Sequence, residues 1–360
     1  MNTSSKKNTD TNSHGYGVST RMSLYRKYRP QSFEDVVGQD HIVDVLKESV
    51  KKGSISHAYL FCGSRGTGKT SIARIFAKAL GTTSNDLYEI DAASNTSVDD
   101  IRELSEAVYT VPLESTYKVY ILDEVHMLSK SAFNAFLKTL EEPPRHVIFI
   151  LATTETDKLP ETIVSRCEVY NFKKPTTDIL KKRIQYVAEK EGVQIESSAA
   201  ELIALLGDGS FRDALSTLQK VISFNDSDTT ITLAQVEQIT GAPEGALVTQ
   251  FVKGIVLKDK ELALESLHKA YSQHVDIKVF TELALTRLRY VLMRSISEKQ
   301  AELLAGDISQ EDSAVCVDIS KKTSPKFVAE MIKNILQVYH SIGKSYVSTV
   351  PLEVVVGMLE

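Results

Sequence analysis

The residues best suited to chemistry are Gly63-Ser64-Arg65-Gly66-Thr67-Gly68-Lys69-Thr70, which fit the pattern G-x-x-x-x-G-K-[ST]. Glycines in such a loop let backbone N–H groups curl around phosphate oxygens, and a helix starting there adds its positive dipole end. Lys69 then reaches the β- and γ-phosphates, Thr70 offers its hydroxyl to Mg²⁺, and Ser71 closes the nucleotide-binding set. The flanks agree. Ala58 to Cys62 is a short apolar run that reads as a buried strand, and Ser71 to Leu80 carries Ile72, Ile75, Phe76 and Leu80 at helical spacing. Strand, glycine-rich turn and helix in that order are the context the pattern needs to mean a P-loop.

A second set of residues completes the chemistry. Val119 to Leu122 is an uninterrupted apolar run, as in a strand buried on both faces of a parallel sheet, and it ends in Asp123-Glu124. Ligands bind at the carboxyl ends of such strands. Asp123 is placed to orient Mg²⁺, directly or through water, and Glu124 to polarise an attacking water. Alone, two acids closing a strand are as readily two solvated carboxylates. Behind a P-loop they predict binding and hydrolysis of a nucleoside triphosphate. Val147 to Leu151 is a third buried run and leads into Ala152-Thr153-Thr154-Glu155, where a hydroxyl can meet the γ-phosphate or the water. Arg166, in Ser165-Arg166-Cys167, reads by itself as a surface cation.

The elements that must position these groups follow from periodicity. From Tyr25 to about Lys173, apolar strands alternate with amphipathic helices, which predicts a parallel α/β sheet in a nucleotide-binding domain spanning residues 22–173. Lys174-Pro175-Thr176-Thr177 marks a boundary, and a small helical lid is expected over 174–241. Its helices run from Asp178 to Glu191 with Gly192 at C′, from Ala199 to Leu206, and onward from a start capped by Ser210 and Asp213. That start puts Arg212 in a first turn, free to face a ligand, while Leu215, Leu218, Val221 and Ile222 pack inward. Residues 242–360 show only helices and turns, an all-α unit whose expected job is oligomerisation.

Taken together and in order, several segments resemble the gamma/tau subunit family of the bacterial DNA polymerase III clamp loader, in the AAA+ ATPase superfamily. They include Tyr25-Arg26-Lys27-Tyr28-Arg29-Pro30, Val37-Gly38-Gln39, the P-loop, and Glu89-Ile90-Asp91-Ala92-Ala93-Ser94-Asn95. The run continues through Asp123-Glu124-Val125-His126-Met127-Leu128, Leu137 to Pro144, Leu151 to Glu155, Ser165-Arg166-Cys167 and Gly209 to Leu215. The likeness covers roughly Tyr25 to Phe224, and the helical remainder fits the family's collar. It implies ATP and Mg²⁺ as cofactors, with Lys69 and Thr70 on the phosphates and metal, Asp123 on the metal and Glu124 as base. It places Thr154 on the family's first γ-phosphate sensor, Arg212 on the second sensor, and Arg166 on an arginine finger acting on the neighbouring subunit. Arg29, Pro30, Val37 and Gly38 would border the adenine. The implied partners are other loader subunits in a ring, a sliding clamp and primer-template DNA.

The chain also departs from that pattern. Relatives usually carry a four-cysteine zinc module after the P-loop helix, but here only Gly81 to Leu87 separate Leu80 from Tyr88. The three cysteines, Cys62, Cys167 and Cys316, form no C-x-x-C pair, so no structural zinc is expected and they read as small buried hydrophobes. His126 reads as packed beside the acid strand. Relatives often have basic residues after the Ala-Ala-Ser segment; Thr96 and Ser97 stand there instead, with Arg102 persisting on a helix capped by Ser97 and Asp100. Arg102 and Lys130 are candidate DNA contacts and equally ordinary solvated cations. The end at Glu360 resembles the shorter, gamma-like form.

Composition sets the outer bounds. Apolar residues at 42% and charged residues at 25% are globular values. A net charge of −5 excludes a generally basic nucleic-acid binder, though not a local basic patch. No apolar run is long enough for a membrane helix and no signal-type segment follows the start, so a cytoplasmic protein without membrane attachment is expected. Residues 1–21, rich in Ser, Thr and Asn, read as a disordered tail. The function that the gamma/tau resemblance implies first is an ATP-driven clamp-loader motor. The alternatives are a silent clamp-loader stator, an archaeal or eukaryotic replication factor C subunit, and a Holliday-junction branch-migration helicase. Intact Lys69, Thr70, Asp123 and Glu124 argue against the stator.

Overall fold

Three apolar runs form the centre of one parallel sheet. In the computed structural model, β1 (Ala58–Cys62) and β4 (Val147–Thr153) are buried along their whole length, and β3 (Lys118–Asp123) is buried up to its final acid. The structure describes residues 22–94, 97–224, 230–302, 304, 308, 310–342 and 344–359. The tail at 1–21, together with Asn95 and Thr96, lies outside the described residues. Two further strands, β2 (Leu87–Asp91) and β5 (Glu168–Asn171), complete the order β2-β3-β4-β1-β5, all parallel. These two occupy the edges and are half exposed. Each is short and carries charged residues, so neither shows the apolar run that betrays a central strand.

Alternate residues of the central strands feed two cores. Tyr59, Phe61, Ile121 and Ile150 face α2 (Asp40–Lys52) and α3 (Lys69–Ala79), meeting Leu46, Ile72 and Phe76. Leu60, Leu122 and Leu151 face α4 (Val98–Ala107) and α5 (Lys130–Glu141), meeting Leu104, Phe133 and Phe136. Fully burying one such side chain is worth roughly 1.5–3 kcal/mol. Helix α4 starts at the expected cap: Asp100 N–H donates to Ser97 Oγ and Ser97 N–H to Asp100 Oδ2. Two short helices remain: α6 (Glu161–Val164) adds Ile163 to the second core, and α1 (Leu24–Lys27) stands outside both.

The short link between α3 and β2 has its own anchor. Asp86 is wholly buried and accepts backbone N–H bonds from Leu113 (2.6 Å), Glu114 (2.9 Å) and Ser115 (2.8 Å). Burial pushes its pKa up, but these N–H groups and the Ser115 hydroxyl outweigh it and hold the carboxyl at about 2. One carboxylate thus ties the connection to the loop before β3.

Helices then take over. The lid comprises α7 (Thr177–Lys190), α8 (Ser197–Leu206), α9 (Phe211–Phe224) and α10 (Leu233–Thr240) around Leu180, Ile184, Ile203, Leu215 and Leu218. Gly192 follows α7 at φ 77°, as its expected C′ role requires. Helix α1 belongs to this core through Leu24, whose N–H donates to Gln219 Oε1 at 2.9 Å.

The C-terminal region is all α among the described residues. It contains α11 (Gly245–Leu257), α12 (Lys260–Ser272), α13 (Ile277–Ile296), α14 (Glu298–Glu302), α15 (Gln310–Ser320), α16 (Pro325–Tyr339) and α17 (Val350–Gly357). Phe251, Phe280, Leu288 and Leu352 sit in its core. Among the described residues, no helix is long and apolar enough to cross a membrane.

Candidate nucleotide-binding site

The loop after β1 wraps tightly because its glycines adopt conformations closed to other residues. Gly63 has φ 148°, and a Cβ there would lie 2.7 Å from the Phe172 carbonyl oxygen. Gly66 has φ 73°, and a Cβ there would lie 1.9 Å from Ser210 Oγ of the lid. Thr67 Oγ1 donates to the Ser64 carbonyl at 2.9 Å and braces the loop. Helix α3 begins at Lys69 with Gly68 as N-cap, so its first N–H groups open onto the loop.

Lys69 is nearly buried and donates to the carbonyls of Gly63 (2.7 Å) and Ser64 (3.0 Å). Burial lowers its pKa, while the carboxylates of Glu124 and Asp123 work in the opposite direction. Thr70 Oγ1 donates to Asp123 Oδ2 at 2.7 Å, which brings the expected metal-binding pair together across the gap between α3 and β3. Hydroxyl and carboxylate are hard oxygen donors of the kind Mg²⁺ takes, so these residues fit that ion. No group of three or more His, Cys, Asp or Glu side chains is arranged to hold a metal among the described residues.

Glu124 follows Asp123 in the left-handed region, at φ 50°. A residue other than glycine held there costs of order 1–3 kcal/mol and is found where function fixes the backbone. The kink directs its carboxylate toward β4, where Thr154 Oγ1 donates to Glu124 Oε2 at 2.9 Å. Thr154 thus meets Glu124 although the two lie on different segments.

A cleft of about 880 Å³ opens in front of these groups. Of the residues expected to bind nucleotide, Arg29, Pro30, Val37, Arg65 to Ser71, Asp123, Glu124 and Arg212 line it. Gly63 and Ser64 lie behind, reaching the cleft through their carbonyl bonds to Lys69, and Gly38 turns away at φ 76° against Ile179. Arg29 Nε donates to Ser71 Oγ at 2.9 Å, and burial, then the nearby Arg74, lowers the pKa of its guanidinium. Arg212 stands 5.8 Å from the centre of the Tyr25 ring.

Thr154 does not itself line the cleft and reaches it through Glu124, and Arg166, Arg102 and Lys130 lie elsewhere. Arg166 pairs with Glu141 at the end of α5 and donates to the Thr162 carbonyl at 2.7 Å, away from the cleft. Arg102 pairs with Asp99 at 3.0 Å on the exposed side of α4. Lys130 is the exposed first residue of α5. Sequence reasoning missed Tyr25, Arg74, Glu89 and Arg183 on the cleft wall. Arg74 was within reach, since it lies one helical turn after Thr70 on α3. Arg183 comes from the lid, and nothing local to it signals the cleft.

Comparison with known proteins fits this geometry. A family model described as "DNA polymerase III, delta subunit" matches residues 38–89 and 82–176, and one for the "DNA polymerase III clamp loader subunit, ATPase lid domain" matches 179–227. The DNA polymerase III subunit gamma of Buchnera aphidicola is 36% identical over 296 residues, covering 76% of this chain and 81% of its own. The chain belongs to the DNA polymerase III gamma/tau family. The subunit tau of Bacillus subtilis is 46% identical over 279 residues, 71% of this chain and 49% of its own. The chain thus spans about half the length of the tau relatives it matches. In fold, it is similar to the RuvB Holliday junction branch migration motor of Thermotoga maritima, with TM-score 0.50 and 23% identity over 64% of this chain and 79% of that one. That likeness extends to the AAA+ fold alone. Gamma/tau membership agrees with the P-loop, acid strand and lid found here.

Proposed function

We propose that this gamma/tau-family chain is an ATP-driven motor subunit of a clamp loader, opening a sliding clamp and placing it on primer-template DNA during replication. The observation that carries the reading is the joining of Thr70 to Asp123 at 2.7 Å and of Thr154 to Glu124 at 2.9 Å, with Thr70, Asp123 and Glu124 on the wall of the P-loop cleft. A chain that had lost hydrolysis need keep neither pair.

In this reading the N–H groups of the loop at 63–70 and the Lys69 ammonium bind the phosphates. Thr70 and Asp123 would hold Mg²⁺, which when bound would supply positive charge against the phosphates. Glu124 orients the attacking water and accepts its proton. Thr154 steadies the Glu124 carboxylate and senses the γ-phosphate end. Arg29, Pro30 and Val37 border the base, with Gly38 setting the turn behind them. Arg212, carried by the lid, links lid position to nucleotide state. Arg166, away from its own cleft, serves the neighbouring chain in a ring. Residues 22–173, 174–241 and 242–360 are the nucleotide-binding, lid and collar units, and the collar joins subunits. Arg102 and Lys130 face the DNA, the chain carries no zinc, and it works in the cytoplasm.

The direct test separates binding from hydrolysis. Lys69→Ala should abolish ATP binding, because the phosphates lose the buried cation of the P-loop. Glu124→Gln should keep binding and stop hydrolysis, since it spares the phosphate and metal contacts. Equal loss of ATP affinity in both variants would overturn this assignment.

A further inference from the structure

The mechanism above leaves one buried polar side chain beside Glu124 without a task. His126 follows two residues later in the 3₁₀ turn Val125–Met127, and its side chain is only 6% exposed. Its Nδ1 lies 3.0 Å from Thr153 Oγ1 and 3.5 Å from Glu124 Oε2. On the other side of the ring, Nε2 lies 3.3 Å from Glu155 Oε1. The ring therefore stands between two carboxylates, one at the reacting end of the cleft and one exposed and paired with Lys158 at 2.8 Å.

A carboxylate presents only acceptors, so Glu155 Oε1 anchors the ring through Nε2. Thr153 Oγ1, which also accepts the Glu155 N–H at 3.0 Å, anchors it through Nδ1. These two contacts fix the plane of the ring. On its Glu124 side the ring borders Oε2, the same oxygen to which the Thr154 hydroxyl donates at 2.9 Å. A carboxylate oxygen bonded by a hydroxyl and bordered by an anchored ring has one favoured direction.

We infer that His126 is a positioning residue for Glu124, its ring locked by Thr153 and Glu155 so that the Glu124 carboxylate keeps the direction hydrolysis requires. The inference rests on the reading of Glu124 as the base. Displacing a reacting group by about 1 Å can cost on the order of 10²-fold in rate. His126 touches neither the phosphate loop nor the adenine side of the cleft. Its loss should therefore slow turnover and leave ATP affinity alone.

The experiment uses the purified chain with radiolabelled ATP, measuring single-turnover hydrolysis, the ATP dissociation constant and the melting temperature for each variant. His126→Leu, which fills the volume without polar contacts, should slow hydrolysis on the order of 10²-fold with ATP affinity changed less than about twofold. His126→Asn, whose amide can take the place of Nδ1 toward Thr153, should recover much of that loss. In a Glu124→Gln background, His126→Leu should add nothing. Wild-type hydrolysis in His126→Leu, or affinity falling as far as the rate, overturns the inference. If Glu124→Gln itself still hydrolyses ATP, the reading of Glu124 as base fails and the inference falls with it. If that variant stops while His126→Leu turns over normally, only the role of His126 is wrong.

Discussion

Phe211, at the first turn of α9, donates its backbone N–H to the Gly66 carbonyl at 3.0 Å, so the lid rests on the phosphate loop itself. Ser210 reinforces the contact from the preceding position, filling the space a Cβ on Gly66 would need. Any movement of α9 therefore bears on the loop, and any reshaping of the loop bears on Arg212 next to Phe211.

This contact makes Gly66 sensitive in a way that other glycines of similar backbone are not. Gly81 has φ 78° against 73° at Gly66, yet a Cβ on Gly81 meets nothing within 4 Å. A left-handed conformation costs roughly 1–2 kcal/mol for a residue with a Cβ, and both alanine variants share that penalty. Gly66→Ala must in addition displace Ser210. We expect Gly81→Ala to lower the melting temperature modestly and leave ATP affinity intact. Gly66→Ala should weaken ATP binding at least tenfold, equivalent to about 1.4 kcal/mol. Parallel ATP titrations of the two variants check this, and equal affinities would contradict it.

Asp86 predicts a dependence on acid. Its folded pKa of about 2 lies below the ordinary value of a free Asp, about 3.9. The unfolded chain therefore binds the proton first, and the carboxylate's contribution is full above about pH 4 and is lost as pH falls through about 2. Asp86→Asn should lower the melting temperature at neutral pH, and the gap to the parent should narrow between pH 4 and 2. Thermal melts across that range test it; a gap that stays constant would mean the charge is not what anchors Leu113 to Ser115.

Much of this site was legible from residue order. The P-loop flanks, the acids at the end of β3 and the Ser97–Asp100 cap all stand where local pattern puts them. What pattern could not reach are relations between distant segments. Strands β2 and β5 escape because an edge strand needs no continuous apolar run. Asp86 looks like a loop acid until Leu113 to Ser115 fold over it. His126 shows its partners, Thr153 and Glu155, only once β3 and β4 lie side by side.

Arg166 tests the ring. Its guanidinium lies outside its own cleft, paired with Glu141. A finger in trans stabilises charge developing on the transferred phosphoryl group and is worth roughly 10³–10⁵ in rate. Arg166→Ala should leave ATP affinity and the basal turnover of the isolated chain nearly unchanged, and sharply reduce turnover in the assembled complex. Mixing Arg166→Ala with Lys69→Ala chains should recover part of the activity at their shared interface. Loss of the same size in the isolated chain would assign Arg166 to its own site.

Coupling of ATP hydrolysis in this cleft to the loading of a clamp is what the proposed function stands on. The measurement that bears on it most directly is ATP turnover by the assembled complex, alone, with a sliding clamp, with primed DNA, and with both. Clamp and primed DNA together should stimulate turnover well beyond either alone, and Glu124→Gln should remove the stimulated rate. Turnover raised by branched DNA and indifferent to the clamp would contradict it.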